Sequence, residues 1–234
     1  MIAGLQKMTL LDFPGRVACT VFLAGCNYRC PFCHNAELFG KATQPLMEKA
    51  EFLRFLENRK GLLDGVCVSG GEPTLTPDLE DLLRSIKALG YAVKLDTNGS
   101  RPAVLKRLVR EGLVDYVAMD VKNSPAGYAE TVGLEHVDLA AVEESLRFLL
   151  ADNVDYELRT TCVQQLHDDA KIEEMGRWLC DLAAPGKVRR LFLQSFVDRD
   201  TVAFAGLCAP EKEQLSAWRE RLSICSEKVE IRGV

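Results

Sequence analysis

The sequence lacks the features that would anchor it in a membrane or divide it into pieces. No apolar run approaches the roughly 20 residues a helix needs to cross a bilayer. The opening Met-Ile-Ala-Gly-Leu-Gln-Lys has neither a long apolar stretch nor a cleavage signal. A soluble, cytoplasmic protein with no membrane partner is therefore expected. Neither sign of charge predominates: 29 basic and 34 acidic residues are intermixed, for a net charge of −5. That leaves no basic footprint for a polyanion, and no nucleic-acid partner is expected. No Pro/Gly/Ser linker, low-complexity tract or sequence repeat interrupts the 234 residues, and 47% hydrophobic content is enough for one substantial core. Residues 1–234 are expected to form a single domain. Histidine is scarce, at three residues. His136 and His167 stand in loop-like contexts and read as surface or structural groups.

Cysteine, by contrast, is plentiful. Nine is an odd count, and without a secretory leader it points to a reducing compartment rather than a disulfide framework. Three of the nine lie in the loop Gly25 to Asn35: Cys26, Cys30 and Cys33, spaced C-x3-C-x2-C directly after an apolar run. Thiolates this close in sequence can converge on one metal centre. A four-iron cluster has four iron corners, so three cysteine ligands leave one iron open to a small molecule. Zinc with His34 as fourth ligand is the alternative. Adjacent Cys33 and His34 would strain to reach one tetrahedral centre, and no second C-x2-C pair follows. Cys19, Cys67, Cys162, Cys180, Cys208 and Cys225 show no close pairing, and most read as small buried hydrophobes.

Along the chain, short apolar runs alternate with helical patterns. Strands are predicted at Val17 to Ala24, Val66 to Val68, Ala92 to Leu95, Tyr116 to Met119, Tyr156 to Val163 and Leu191 to Phe196, with an edge strand at Val229 to Ile231. Helices are predicted from Met47 to near Gly61, over Leu79 to Leu89, from Ser100 and Pro102 to Gly112, and around Leu139 to Leu149, Ile172 to Leu182 and Leu215 to Leu222. The second is expected to start with Thr76 as cap and Pro77 in the first turn, and to exit at Gly90. Six strand-helix units predict parallel strands joined by right-handed crossovers. They fall short of the eight that close a barrel, so the expected fold is α/β, an open partial (β/α)6 barrel.

In such architectures ligand sites gather at the C-terminal ends of the strands. The polar interruptions fall there: the cysteine loop, Gly70-Gly71-Glu72, Asp96-Thr97-Asn98, Asp120 with Lys122, Arg159 with Thr161, and Gln194. Gly70 and Gly71 allow a close backbone approach or positive φ, and Glu72 adds an acceptor for a cationic group; a tight strand-to-helix turn would use two glycines equally well. Asp96 and Asp120 end consecutive strands, where bare carboxylates would repel unless a cation or Lys122 intervened; both also suit capping or turn positions.

The cysteine loop with Phe32 before its last cysteine resembles the radical S-adenosylmethionine (SAM) superfamily. Leu11-Asp12-Phe13-Pro14-Gly15 and Cys33-His34-Asn35 resemble the activating enzymes of glycyl-radical proteins, especially the anaerobic ribonucleoside-triphosphate reductase activating proteins, over nearly the whole chain. The resemblance implies the same open, TIM-like partial barrel and a [4Fe-4S] cluster on Cys26, Cys30 and Cys33, with SAM on the open iron and a flavodoxin- or ferredoxin-like electron donor. Reductive cleavage of SAM would give methionine and a 5′-deoxyadenosyl radical that takes a hydrogen atom from a backbone glycine of a partner, expected to be anaerobic ribonucleotide reductase. The resemblance also implies that Gly70, Gly71 and Glu72 hold the SAM amino group. Asp96, Thr97, Asp120 and Lys122 would bind a monovalent cation and the SAM carboxylate and ribose, with Asn98 beside them. Arg159 matches an arginine of the related activases; Gln194 stands where some carry histidine and can still bond a ribose hydroxyl. No side chain beyond these is given a catalytic part. A pyruvate formate-lyase activase, a small-molecule radical SAM enzyme such as a deazaguanine synthase, and an electron-transfer iron-sulfur module are the competing expectations.

Overall fold

The computed structural model describes residues 2–39 and 46–233. The chain groups into two compact units: Met1–Asn27, Glu37–Thr97 and Ala103–Ala118 in the first, and Tyr28–Ala36, Asn98–Pro102 and Met119–Val234 in the second. The first holds strands β1 (Ile2–Thr9), β2 (Ala18–Leu23), β3 (Gly65–Gly70) and β4 (Ala92–Thr97), helices α1 (Lys49–Glu57) and α2 (Leu79–Ala88), α3 (Pro102–Arg110) apart from its first residue, and most of β5 (Tyr116–Asp120). Helices α4 (Tyr128–Thr131), α5 (Leu139–Leu150), α6 (Asp169–Ala183) and α7 (Lys212–Leu222) belong to the second, with β6 (Asp155–Cys162), β7 (Leu191–Ser195) and β8 (Val229–Arg232).

Strands follow sequence order in both units. In the first, β2 and β3 pair in parallel from Ala18 opposite Gly65 to Leu23 opposite Gly70, and β3 pairs β4 likewise. In the second, β6, β7 and β8 are parallel, with Thr161 opposite Gln194 and Gln194 opposite Arg232. Parallel strands covered on both faces need apolar residues at almost every position. Ala18, Cys19, Val21, Val66, Cys67 and Val68 are accordingly without solvent contact. Each predicted strand forms, and Val229–Arg232 adds the edge strand.

Two expectations need correction. The sequence reading omits β1, which pairs antiparallel to β2. Gly4, Gln6 and Lys7 break its apolar pattern because an edge strand buries few residues, here mainly Ile2 and Thr9. Thr76 and Pro77 do not open α2. Pro73–Leu75 first form a 3-10 turn capped by the Glu72 side chain, Thr76 closes that turn, and α2 starts after Asp78. Gly90 does supply the left-handed exit, at φ +91.

The Leu11 to Gly15 segment links β1 to β2. Phe13 is buried in contact with Ala18 and Tyr116, its ring 6.0 Å from the tyrosine ring. Gly65 leaves it room, since a Cβ there would lie 2.9 Å from the ring. Among the described residues no helix is long and apolar enough to cross a membrane.

Candidate functional site

In the first unit the site residues are joined through the main chain. The Gly71 N–H donates to the Leu23 carbonyl (2.9 Å) and the Glu72 N–H to the Gly25 carbonyl (2.8 Å), so the chain leaving β3 is bonded to the chain entering the cysteine loop. A Cβ on Gly70, at φ +118, would lie 2.3 Å from the Leu23 oxygen; one on Gly71 would lie 2.2 Å from the Gly25 oxygen. The two glycines therefore admit the backbone of β2 and its exit. Glu72 is buried, and its Oε1 accepts from the Thr74 N–H (3.0 Å), from the Thr74 hydroxyl and from the Thr97 hydroxyl (2.8 Å). Asp96 pairs with Lys94, itself 1% exposed, and accepts from the Ser69 hydroxyl at 3.0 Å. Lys94 was missed in the sequence because it interrupts an apolar strand two residues before Asp96, and only strand geometry puts both on one face.

Charged side chains dominate the second unit. Asp120 takes Lys122 through one oxygen and Arg159 through the other, both at 3.0 Å. The Lys122 ammonium lies 5.9 Å from the centre of the buried Phe32 ring. Burial works against its charge, but Asp120 and Cys30 outweigh that and raise the Lys122 pKa. Gln194, on β7, is half-buried opposite Thr161. Asn98 is buried and accepts from the Ser100 N–H at 3.0 Å.

Several supporting residues were not singled out in the sequence. The Arg29 N–H donates to the Val132 carbonyl (2.8 Å) at the end of α4. Gly133, at φ +67, lets the loop lie close: a Cβ there would be 2.3 Å from the Arg29 oxygen. His34 donates from Nε2 to the Val197 carbonyl (2.6 Å) and stacks on Phe196, which leaves Nδ1 as the nitrogen with a lone pair. His167 is buried; Nδ1 accepts from the Val163 N–H (3.1 Å), and Nε2 therefore donates to the Lys122 carbonyl (2.9 Å). His136 is exposed.

Residues 20–178 match the radical SAM superfamily. The chain belongs to that superfamily. Among relatives of a radical SAM chain of this kind, the Methanocaldococcus jannaschii protein named "Putative glycyl-radical enzyme activating enzyme" is 31% identical over 228 residues, covering 92% of this chain and 88% of its own. The pyruvate formate-lyase-activating enzyme of Clostridium pasteurianum is 32% identical over 127 residues, 52% of either chain, so the match spans about half of that relative. A solved structure, Streptococcus suis SuiB bound to S-adenosylmethionine, superposes with a TM-score of 0.68 at 13% identity, over 89% of this chain and 48% of that one. At that identity the likeness is one of fold, and the fold is the open, mostly parallel α/β barrel expected from the sequence.

Membership in the superfamily implies a [4Fe-4S] cluster and SAM, and cysteine thiols are the donor type that such a cluster takes. Cys26, Cys30 and Cys33 take part in no disulfide. Burial raises the Cys33 pKa, with the Asn35 N–H and Lys122 pulling down and Asp120 pushing up. Such a thiol gives up its proton when a metal binds it. Lys122 supplies a positive neighbour for the resulting thiolates. Outside the loop, Cys19, Cys67, Cys162 and Cys225 are buried, as small hydrophobes are, and burial drives the thiols of Cys19, Cys162 and Cys225 up to about 12. Cys180 is partly covered and Cys208 exposed.

Proposed function

We propose that residues 1–234 act as one radical SAM domain that activates a glycyl-radical protein, with anaerobic ribonucleotide reductase as the partner. The observation that carries the reading is the C-x3-C-x2-C loop leaving β2, tied at its entrance to Gly71 and Glu72. Three thiols leave one iron of a four-iron centre free, and bound there, SAM supplies the radical chemistry. The protein's own residues bind and orient. Gly70, Gly71 and Glu72 serve the SAM amino group. Asp96, Thr97, Asn98, Asp120, Lys122, Arg159 and Gln194 serve its carboxylate and ribose, with a monovalent cation near Asp96 and Asp120. Phe32 covers one side of Lys122 and helps exclude water. The reductant is a flavodoxin- or ferredoxin-like protein, and the setting is the cytoplasm.

The relation to the archaeal protein over most of both chains supports activation of a glycyl-radical enzyme. The Clostridium relative supports a second reading in which the partner is a formate-lyase. To test the first step, the anaerobically reconstituted protein is reduced with dithionite in the presence of SAM and assayed for 5′-deoxyadenosine. Wild-type protein is expected to form it, and Cys26→Ala, Cys30→Ala and Cys33→Ala each to lose it; turnover retained in any of these variants would count against the site. For the second step, paramagnetic resonance on mixtures with an anaerobic ribonucleotide reductase or a formate-lyase is expected to show the glycyl radical on the reductase. A signal on the formate-lyase alone would replace the proposed partner.

A further inference from the structure

Among the described residues of the second unit, the longest connection without helix or strand runs over 196–211, between β7 and α7. Irregular connections of such length inside a compact unit are uncommon and usually carry function. This one leaves the C-terminal end of β7, where parallel α/β folds gather their sites. It is held at both feet. At the first, the His34 Nε2 donates to the Val197 carbonyl (2.6 Å) and the imidazole stacks on Phe196, which ties the loop to the residue after Cys33. At the second, just past the end of β6, the Gln164 N–H donates to the Cys208 carbonyl (2.9 Å). The Gln165 side chain accepts from the Cys208 N–H (3.0 Å) and donates to the Gly206 carbonyl (3.1 Å).

Between the feet, the Val202 N–H closes a turn on the Arg199 carbonyl (2.9 Å), and Phe204 stands 60% exposed. Among the exposed large hydrophobic residues of the described chain it is the one aromatic, and it shares the loop with Val197, 42% exposed. The apolar surface of a ring held in an anchored loop is left unburied by the chain itself and is open to an interface. Under the reading above, two protein partners must reach this chain. A reductant needs only a transient encounter, for which a small area and charge steering suffice. A glycyl-radical protein must hold one backbone glycine in place while a hydrogen atom is removed, which demands an anchored, oriented contact. The composition of the loop fits the second: Val202-Ala203-Phe204-Ala205 carries no charge, and aromatic anchors dominate such interfaces.

We infer that residues 196–211 are the docking element for the glycyl-radical protein, with Phe204 the anchor that enters an apolar pocket of that partner. This rests on the activase reading above.

The test makes three measurements on the anaerobically reconstituted protein: 5′-deoxyadenosine formed with dithionite and SAM in the absence of partner, affinity for an anaerobic ribonucleotide reductase, and glycyl radical formed on it. A formate-lyase is run in parallel, and the comparison is read on whichever protein the wild type activates. Phe204→Ser is set against wild type and against Ile224→Ser, which removes an apolar side chain, 74% exposed, outside the loop. Phe204→Ser is expected to form 5′-deoxyadenosine as wild type does, to bind the partner about tenfold more weakly or worse, and to need correspondingly more partner for the same glycyl radical. Ile224→Ser is expected to match wild type throughout. Unchanged affinity in Phe204→Ser overturns the inference, as does equal weakening in Ile224→Ser. Loss of 5′-deoxyadenosine in Phe204→Ser also overturns it, since the ring would then support the cysteine loop. So does slower reduction by a flavodoxin with partner affinity intact, which assigns the loop to the reductant. A wild type that cleaves SAM but activates neither protein would instead remove the activase reading, and this inference with it.

Discussion

The two units hold their candidate site residues by different means. In the first, the chain leaving β3 is bonded to the chain leaving β2 by main-chain hydrogen bonds, and the glycines are those that would otherwise collide with it. In the second, Asp120, Lys122 and Arg159 hold one another by charge, on a frame braced by His167 and by α4 against the cysteine loop. Main-chain contact fixes position with no tolerance for added atoms. A side-chain network can lose a member and relax, at a cost set by the groups left behind. Substitutions at Gly70 and Gly71 should therefore act as all-or-none steric events, and those at Asp120, Lys122 and Arg159 as graded electrostatic ones.

The largest effect is expected at Gly70. An alanine there must adopt φ +118 and place its Cβ 2.3 Å from the Leu23 oxygen and 2.4 Å from its nitrogen. Backbone strain and a forced shift each cost about 1–3 kcal/mol, so Gly70→Ala should destabilise the apo-protein by roughly 3 kcal/mol or more in urea unfolding. It should also reduce iron uptake. Gly90→Ala serves as the control: its φ of +91 carries the conformational penalty, but no atom lies within 4 Å of the added Cβ. Equal losses at the two positions would show that close approach contributes nothing at Gly70.

Asp120→Asn should cost less. It keeps the shape of the side chain but removes the negative charge shared by two partly buried cations, Lys122 and Arg159. Hydrogen bonds to charged groups contribute about 1.5–3 kcal/mol, which puts the expected loss near 2 kcal/mol, with weaker SAM binding in equilibrium titrations of the reconstituted protein. A variant as stable as wild type would mean that the lysine and arginine, not the aspartate, set the energetics of this corner.

The same contrast explains how far the sequence could be read. Elements whose residues must be apolar at nearly every position, such as Ala18–Leu23 and Gly65–Gly70, show themselves because burial on both faces leaves a continuous signature. Polar interruptions at strand ends are conspicuous for the same reason, and Asp120, Lys122 and Arg159 do form one cluster. The partners that tertiary contact creates left no local pattern. Lys94 sits inside a strand and looks like a break in it; Tyr128 lies in, and Gly133 just beyond, a helix too short to give a period; His34 reaches across 163 residues to Val197. The glycines at 70 and 71 were visible, but what fills the space beside them, the backbone of β2, was not.

The smallest effect, and the one that isolates the brace from the charges it supports, is expected from His167. Its imidazole is buried between Val163 and Lys122, and burial holds its pKa below the ordinary 6.5, against the pull of the Lys122 and Val163 carbonyls. Between the folded pKa and 6.5 the unfolded chain binds more protons than the folded one, so stability rises with pH across that window. The contribution is complete above 6.5 and is lost as pH falls through it toward the folded value. Urea unfolding of the apo-protein at a series of pH values from 7.5 down to 5 should show this decline, and His167→Gln, which can replace only part of the hydrogen bonding, should flatten that component while lowering stability at pH 7.5 by about 1 kcal/mol. Should the variant keep the full pH slope, the proton responsible would reside elsewhere. His167 would then act on Lys122 through packing alone.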